Sequence, residues 1–125
     1  MPTIELMGVS HTYELTPPTQ SQEVLIFIHG WLLSRHYWNL LIQQLSADYQ
    51  CLSYDLRGFG DSQLPQTIDD VLPLSSYSLL SYAKDLGHLL EQLKLTNVWL
   101  VGHSLGGSIA IWGAHQFPER VKGVI

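Results

Sequence analysis

The sequence predicts an α/β protein with a mostly parallel sheet and helices on both of its faces. Short apolar runs alternate with segments whose apolar residues follow helical spacing, an order typical of strand–helix–strand units. Residues 23–28 are apolar almost throughout, as strands of buried parallel sheets are. Polar, glycine-containing segments follow three of the predicted strands, and ligands bind at the carboxyl ends of strands in such sheets.

Composition indicates a globular domain. The chain has 125 residues, of which 46% are hydrophobic, enough for one domain with a real core. The net charge is −5 and the six Lys and Arg residues are scattered, which disfavours nucleic acid or an anionic membrane as a partner. We expect no signal peptide and no membrane span. Cys51 is the single cysteine, so we expect a buried thiol and a cytoplasmic location.

The amino-terminal half predicts an antiparallel pair of strands followed by a strand, a helix and another strand. The pair spans 3–7 and 9–15, and a proline-bearing loop leads from it to the strand at 23–28. Ser34 is a candidate N-cap for the helix, whose apolar residues recur at i, i+3, i+4 and i+7. These residues are Trp38, Leu41, Ile42 and Leu45. The next strand is predicted over 50–54.

The carboxyl-terminal half predicts helix, strand, helix and strand after a solvated surface loop over 62–76. Ser76 or Ser78 caps the first helix, which has an apolar stripe opposite a polar face. The stripe is Leu79, Ala83, Leu86, Leu90 and Leu93; the polar face is Lys84, Asp85, Glu91, Gln92 and Lys94. The helix at 105–116 is apolar nearly all round and is expected to be buried, and a last strand begins at 121.

The segment Gly102-His103-Ser104-Leu105-Gly106 joins the predicted strand at 98–101 to this second helix. Gly-x-Ser-x-Gly between a strand and a helix is the nucleophile elbow, a turn that presents its serine at the end of the sheet. We expect a positive φ at Ser104, and glycine at 102 and 106 because side chains there would collide. Leu105 begins the helix, so its N–H has no intrahelical partner and can hold an anion.

Two further motifs follow earlier strands. His29-Gly30-Trp31 follows the strand at 23–28, and Asp55-Leu56-Arg57-Gly58-Phe59-Gly60-Asp61-Ser62 follows the strand at 50–54. In this order and spacing the three motifs resemble the α/β-hydrolase fold superfamily, and the resemblance covers almost the whole chain. It implies that residues 1–125 are the amino-terminal portion of a single α/β-hydrolase domain, truncated before the later strands.

The resemblance also implies roles for individual residues. Ser104 is the nucleophile, and the backbone N–H groups of Trp31 and Leu105 form the oxyanion hole. His29 braces the oxyanion loop. The remaining supports of the loop and elbow are Gly30, Gly102, His103 and Gly106. The indole of Trp31 either walls an acyl pocket or covers the core.

The histidine base and the carboxylate that a serine nucleophile needs are missing. In this fold they follow the serine in the order carboxylate, then histidine. After Ser104 only Glu119 and His115 remain, in the reverse order, and a rise of ~1.5 Å per residue puts His115 roughly 16 Å from the serine. We therefore predict that the acid and base lie beyond Ile125, and that the 125 residues alone are unstable and nearly inactive.

Other polar residues receive structural interpretations. Asp55 precedes the serine, contrary to the family order, so we predict a charge pair with Arg57 that shapes the glycine loop, and an exposed Asp61. The remaining histidines are interpreted as surface or partly buried residues: His11, His36 and His88. Asp69 and Asp70 have no companions at metal-ligand spacing, so no metal is predicted. No cofactor is predicted either, since the glycines at 58 and 60 do not continue into a dinucleotide-binding pattern.

The sequence therefore predicts a serine hydrolase that acts on a small-molecule ester, thioester or related carbonyl through an acyl-enzyme. Carbon–carbon bond hydrolases, perhydrolases and lyase-like synthases with the same motifs remain alternatives. So does a non-catalytic binding or scaffold protein, or an inactive fragment. Epoxide hydrolases and haloalkane dehalogenases share the loop pattern but use aspartate as the nucleophile, and Ser104 argues against both.

Overall fold

The computed structural model describes residues 2–62 and 78–125, in which strands and helices alternate as predicted. The strands are β1 (Thr3–Leu6), β2 (Val9–Leu15), β3 (Val24–Ile28), β4 (Gln50–Tyr54), β5 (Val98–Gly102) and β6 (Val121–Val124). The helices are α1 (Asn39–Leu45), α2 (Leu79–Gln92) and α3 (Leu105–Gln116), and a single 3₁₀ turn (Arg35–Trp38) precedes α1. The loop predicted over 62–76 lies outside the described residues apart from Ser62.

These strands form one sheet in the order β1-β2-β4-β3-β5-β6. The predicted antiparallel start is confirmed: β1 pairs with β2, and β2 with β4, in antiparallel orientation. The pairs β4–β3, β3–β5 and β5–β6 are parallel. Because the chain leaves β3 toward β4 on one side and later adds β5 on the other, a crevice opens at the carboxyl ends of β3 and β5.

Strand β3 anchors the molecule because both of its faces are covered. All five of its residues are buried. Leu25 and Phe27 pack with Trp38 and the α1 side of the sheet, whereas Ile26 and Ile28 pack with α2 and α3 on the opposite side. Each such side chain contributes roughly 1.5–3 kcal/mol on burial. The loop that leaves β3 therefore starts from a fixed point.

Both predicted caps are present. The Ser34 hydroxyl accepts the N–H of His36 at the start of the 3₁₀ turn, and the Ser78 hydroxyl accepts the N–H of Ser81 at the start of α2. The side chains of Trp38 and Ile42 pack inward as predicted, but Leu41 is 40% exposed. The difference arises because a 3₁₀ turn precedes α1, so the helical spacing does not run unbroken from Trp38.

Two other burial predictions are wrong. Asp85 was placed on the polar face of α2 but is fully buried, because a buried arginine and His11 contact its carboxylate. Helix α3 is buried on one side only, and Ile111 and Trp112 are 65% and 42% exposed. The described elements cover α3 from β5, β3, β6 and α2, which leaves its outer side open.

The single thiol, Cys51, is buried as predicted, and burial raises the pKa of its thiol. His11 is also fully buried, so its interpretation as a surface or partly buried residue is wrong. Its Nδ1 lies 2.8 Å from the Val9 carbonyl oxygen, and its Nε2 lies 3.4 Å from Asp85 Oδ2. None of the helices in the described segments has the length and apolar character that crossing a bilayer requires.

Candidate active site

Ser104 has the strained backbone that the elbow predicts. Its φ is +58° and its ψ is −117°, and it lies between the end of β5 and the first residue of α3. The residue is exposed, and its side chain makes no capping hydrogen bond to the helix. Its hydroxyl is therefore presented at the carboxyl edge of the sheet.

Glycine is required on both sides of this serine. A Cβ on Gly102 would lie 2.3 Å from the Gly106 carbonyl oxygen, which confirms the predicted collision across the elbow. A Cβ on Gly106 would lie 2.0 Å from the carbonyl oxygen of Ile28 in β3. The second glycine therefore lets α3 begin directly against β3, a contact that the motif alone does not reveal.

The loop after β3 touches the elbow. The His103 N–H donates to the Ile28 carbonyl oxygen at 3.1 Å. A Cβ on Gly30 would lie 3.2 Å from Ser104 Cβ and 3.1 Å from the His103 carbonyl oxygen. The structure thus brings His29-Gly30-Trp31 and the elbow together, as the convergence of strand ends predicts.

Two amides of the elbow are used within the turn itself. The Gly106 N–H donates to the His103 carbonyl oxygen and the Gly107 N–H to the Ser104 carbonyl oxygen, each at 2.9 Å. Leu105 is the first residue of α3, and its N–H has no acceptor inside the helix. The Leu105 N–H can therefore bind an anion beside Ser104.

His29 holds its loop by both ring nitrogens. It is fully buried; Nδ1 lies 2.8 Å from the Gly30 carbonyl oxygen, and Nε2 accepts the Leu56 N–H at 3.0 Å. Nε2 faces a donor, so the proton is on Nδ1. Burial lowers the pKa of His29, and this outweighs the opposite effects of the Gly30 carbonyl and Asp55. A neutral ring with both nitrogens engaged fits the predicted bracing role.

Aromatic side chains form the rim around Ser104. The Trp31 and Phe59 rings meet edge to face with centroids 4.8 Å apart, and Tyr37 stacks on His103 at the same centroid distance. Trp31 is 53% exposed while it packs on Phe59, which itself contacts the core. The indole therefore lines the rim and also shields part of the core.

The predicted charge pair between Asp55 and Arg57 is wrong. Arg57 instead binds Asp85 on α2 with two hydrogen bonds, of 2.7 and 2.8 Å. Asp85 lies on the side of α2 that also carries the buried Tyr82 and Leu89, outside the apolar stripe that the sequence predicts. Both residues follow the end of β4, and each binds a partner on a different element: Asp55 binds Arg35 and Arg57 binds Asp85.

The partner of Asp55 is Arg35, which sequence reasoning missed. Arg35 is fully buried, and its guanidinium contacts Asp55, Asp61 at 3.1 Å and Glu14 at 2.8 Å. Burial lowers the pKa of Arg35, but the hydrogen bonds to Glu14 and Asp61 and the charge of Asp55 outweigh burial and raise it. Asp61 is exposed as predicted. No periodic or motif signal marks Arg35, because all its partners are distant in sequence.

The described residues do not complete a catalytic triad. His115 lies in the last turn of α3, at the end away from Ser104. Within residues 2–62 and 78–125 no group of three or more His, Cys, Asp or Glu side chains can hold a metal ion, and Asp69 and Asp70 lie outside these residues. A cavity of about 620 Å³ opens between α2 and the end of α3, and its lining includes no serine, threonine or cysteine.

Comparisons with known proteins agree with this architecture. Residues 23–125 match the family model for the alpha/beta hydrolase fold. The chain is 35% identical over 101 residues to the pimeloyl-(acyl-carrier protein) methyl ester esterase of Citrobacter koseri, covering 81% of this chain and 34% of that protein. It is 31% identical over 118 residues to the putative 2-succinyl-6-hydroxy-2,4-cyclohexadiene-1-carboxylate synthase of Bacillus subtilis, covering 94% of this chain and 40% of that protein.

A solved structure shares the fold. The epoxide hydrolase VrEH1 from Vigna radiata superposes with a TM-score of 0.85 at 27% identity, over 98% of this chain and 37% of that chain. The chain thus spans between about a third and two fifths of the length of these relatives.

Proposed function

Since the chain belongs to the α/β-hydrolase fold family, we propose that it contains the nucleophile of a serine hydrolase that acts on an ester or thioester. The observation that carries the proposal is the exposed Ser104 at a φ of +58°, next to the amide of Leu105. The methyl ester esterase among the relatives supports this reaction class. The histidine and carboxylate of the triad are proposed to come from the part of the relatives' length that this chain does not span.

The proposed reaction forms and breaks one covalent bond to the serine. Ser104 Oγ attacks the carbonyl carbon, its proton passes to the histidine base, and the carbonyl oxygen becomes an oxyanion. The N–H groups of Trp31 and Leu105 are the proposed donors to that oxyanion, each worth about 3 kcal/mol in the transition state. Collapse releases the alcohol or thiol with the proton from the histidine, and water then hydrolyses the acyl-enzyme.

His29 has a supporting part in this proposal and is not the base. Both of its ring nitrogens already have partners, and burial lowers the pKa of the ring. Gly30 lets the loop approach the elbow, since a side chain there would press on His103 and Ser104. His103, stacked on Tyr37, lines the rim of the proposed site.

The epoxide hydrolase similarity does not favour epoxide opening by this chain. The loop pattern resembles that of epoxide hydrolases, but their nucleophile is a carboxylate, and this elbow carries a serine hydroxyl. A lyase-like synthase is the second candidate, because the putative synthase of Bacillus subtilis matches 94% of this chain. In that case Ser104 and its neighbours would serve proton transfer and elimination without ester cleavage.

A fluorophosphonate probe on the protein at its natural full length tests the proposal. We expect the wild type to be labelled and Ser104→Ala to lose labelling, together with a fall in ester hydrolysis of about 10³-fold or more. Ser108→Ala is the matched control, because Ser108 is an exposed serine one turn further along α3, and it should label normally. Labelling that survives in Ser104→Ala contradicts the proposal. A folded wild type that is never labelled favours the scaffold protein, and labelling without ester turnover favours the synthase.

A further inference from the structure

The carboxylate of Asp55 joins the two loops that flank the elbow. Asp55 is fully buried at the end of β4. Its Oδ1 accepts the backbone N–H of Arg35 at 2.7 Å, and its Oδ2 accepts the Asp61 N–H at 2.9 Å and a guanidinium N–H of Arg35. A carboxylate with three donors from two segments fixes those segments relative to each other.

The loop from residue 29 to residue 35 is held at both ends by neighbouring residues. At its start, His29 Nε2 accepts the N–H of Leu56. At its end, the Arg35 N–H donates to Asp55. Residues 55 and 56 therefore hold both ends of the segment that contains Trp31.

The middle of this loop is held by these two attachments together with the edge-to-face contact of Trp31 with Phe59. Leu32 has a φ of +65° and is 76% exposed, so its side chain packs little. Within the loop, the Leu33 N–H donates to the Gly30 carbonyl oxygen at 3.1 Å. If Arg35 moved, the tight turn between residues 30 and 33 would therefore move with it. Trp31 lies in this turn, directly after Gly30 at the elbow.

We propose that Asp55 is a positioning residue for hydrolysis: through Arg35 it sets the place of the Trp31 amide opposite Ser104. The inference rests on the proposed function, in which that amide stabilises the oxyanion. An amide that drifts from its position weakens transition-state binding more than substrate binding. Loss of the Asp55 charge should therefore lower kcat while KM changes little.

A second buried pair provides a matched control. Arg57 and Asp85 form two hydrogen bonds and are both buried, and they fasten the segment after β4 to α2. They do not bond to the loop at 29–35. Asp85→Asn therefore disrupts a comparable buried ion pair but leaves intact the hydrogen bonds between Asp55 and Arg35 that hold the loop of Trp31.

The experiment compares kcat, KM and the thermal midpoint for an ester substrate in the full-length protein. We expect Asp55→Asn to lower kcat tenfold or more with KM within threefold, because the new NH₂ group faces the donors of Arg35 and Asp61. Asp85→Asn should lower the thermal midpoint about as much as Asp55→Asn does, while its kcat stays within threefold of the wild-type value. Glu14→Gln, which changes the half-exposed partner of the buried Arg35, should leave kcat within threefold.

Arg35→Lys and Arg35→Met give an independent measure if Asp55→Asn does not fold. Both variants keep the backbone N–H to Asp55, and only lysine keeps the cation, so its kcat should be intermediate between wild type and Arg35→Met. Equal kcat losses in Asp55→Asn and Asp85→Asn, a change in KM alone, or equal kcat in the two Arg35 variants would overturn the inference and leave the serine mechanism intact. Absence of labelling at Ser104 in the wild type overturns the proposed function, and the inference with it.

Discussion

The two loops that meet at Ser104 are held in different ways. The elbow after β5 is fixed by close backbone contacts, with a positive φ at Ser104 and glycines at 102 and 106 that leave no room for a Cβ. The loop after β3 is fixed by side chains from far along the chain, through His29 with Leu56 and Arg35 with Asp55. One half of the candidate site thus depends on close steric fit and the other on buried hydrogen bonds, so different changes should damage each half.

Gly106→Ala should give the largest effect. Its Cβ would lie 2.0 Å from the Ile28 carbonyl oxygen, so α3 or β3 must move, at a cost of about 3 kcal/mol or more. The matched control is Gly107→Ala, where the nearest atom is a Gly102 oxygen at 3.8 Å and alanine favours the helix by roughly 0.5–1 kcal/mol. Thermal unfolding should show a large loss for the first variant and a small gain for the second. Similar midpoints for both would refute the steric account.

Lowering the pH should reduce stability by a moderate amount through His29, which holds the loop after β3. Because burial lowers the pKa of His29, the unfolded chain binds more protons than the folded chain once the pH falls below 6.5. The stability that neutral His29 contributes is thus complete above that pH and is lost as the pH drops. Unfolding midpoints measured from pH 8 to pH 5 should fall less in His29→Gln than in the wild type.

The exposed His88 supplies the comparison for that measurement. His88→Gln should keep the wild-type dependence on pH, since this side chain is exposed and lies outside the loop at 29–35. If His29→Gln and the wild type lose stability in parallel, His29 does not need to be neutral in the fold.

Leu32→Asn should give the smallest effect, a gain of about 0.5–1 kcal/mol. Leu32 has a φ of +65°, a region that asparagine tolerates better than leucine. Leu40 in α1 is equally exposed, at 77% against 76%, so Leu40→Asn should instead destabilise by roughly 0.5 kcal/mol, because asparagine is the poorer helix former. Chemical denaturation should show a higher free energy of unfolding for Leu32→Asn and a lower one for Leu40→Asn. Equal losses in both variants would show that the backbone of Leu32 is not strained.

The difference between the elbow and the loop after β3 also determines how much of the candidate site could be predicted from the sequence. The elbow is a local pattern, so its turn, its positive φ and its glycines were predictable, and so were most strands from their apolar runs. The partners of Asp55 and Arg57 were not, because Arg35 and Asp85 reach them through the packing of separate elements. The exposure of Ile111 and Trp112 on α3 was not predicted for a related reason. The apolar composition of a helix does not show how many of its sides pack against other elements.

One property of the elbow bears on how relatives with different reactions share this architecture. The side chain at 104 makes no capping hydrogen bond to α3, and the turn is held by backbone contacts and glycines. A different short side chain could therefore stand at position 104 without a change in the backbone of this turn. Relatives named as an esterase, a putative synthase and an epoxide hydrolase all match this chain, and a turn of this kind would allow the side chain at 104 to differ among such proteins.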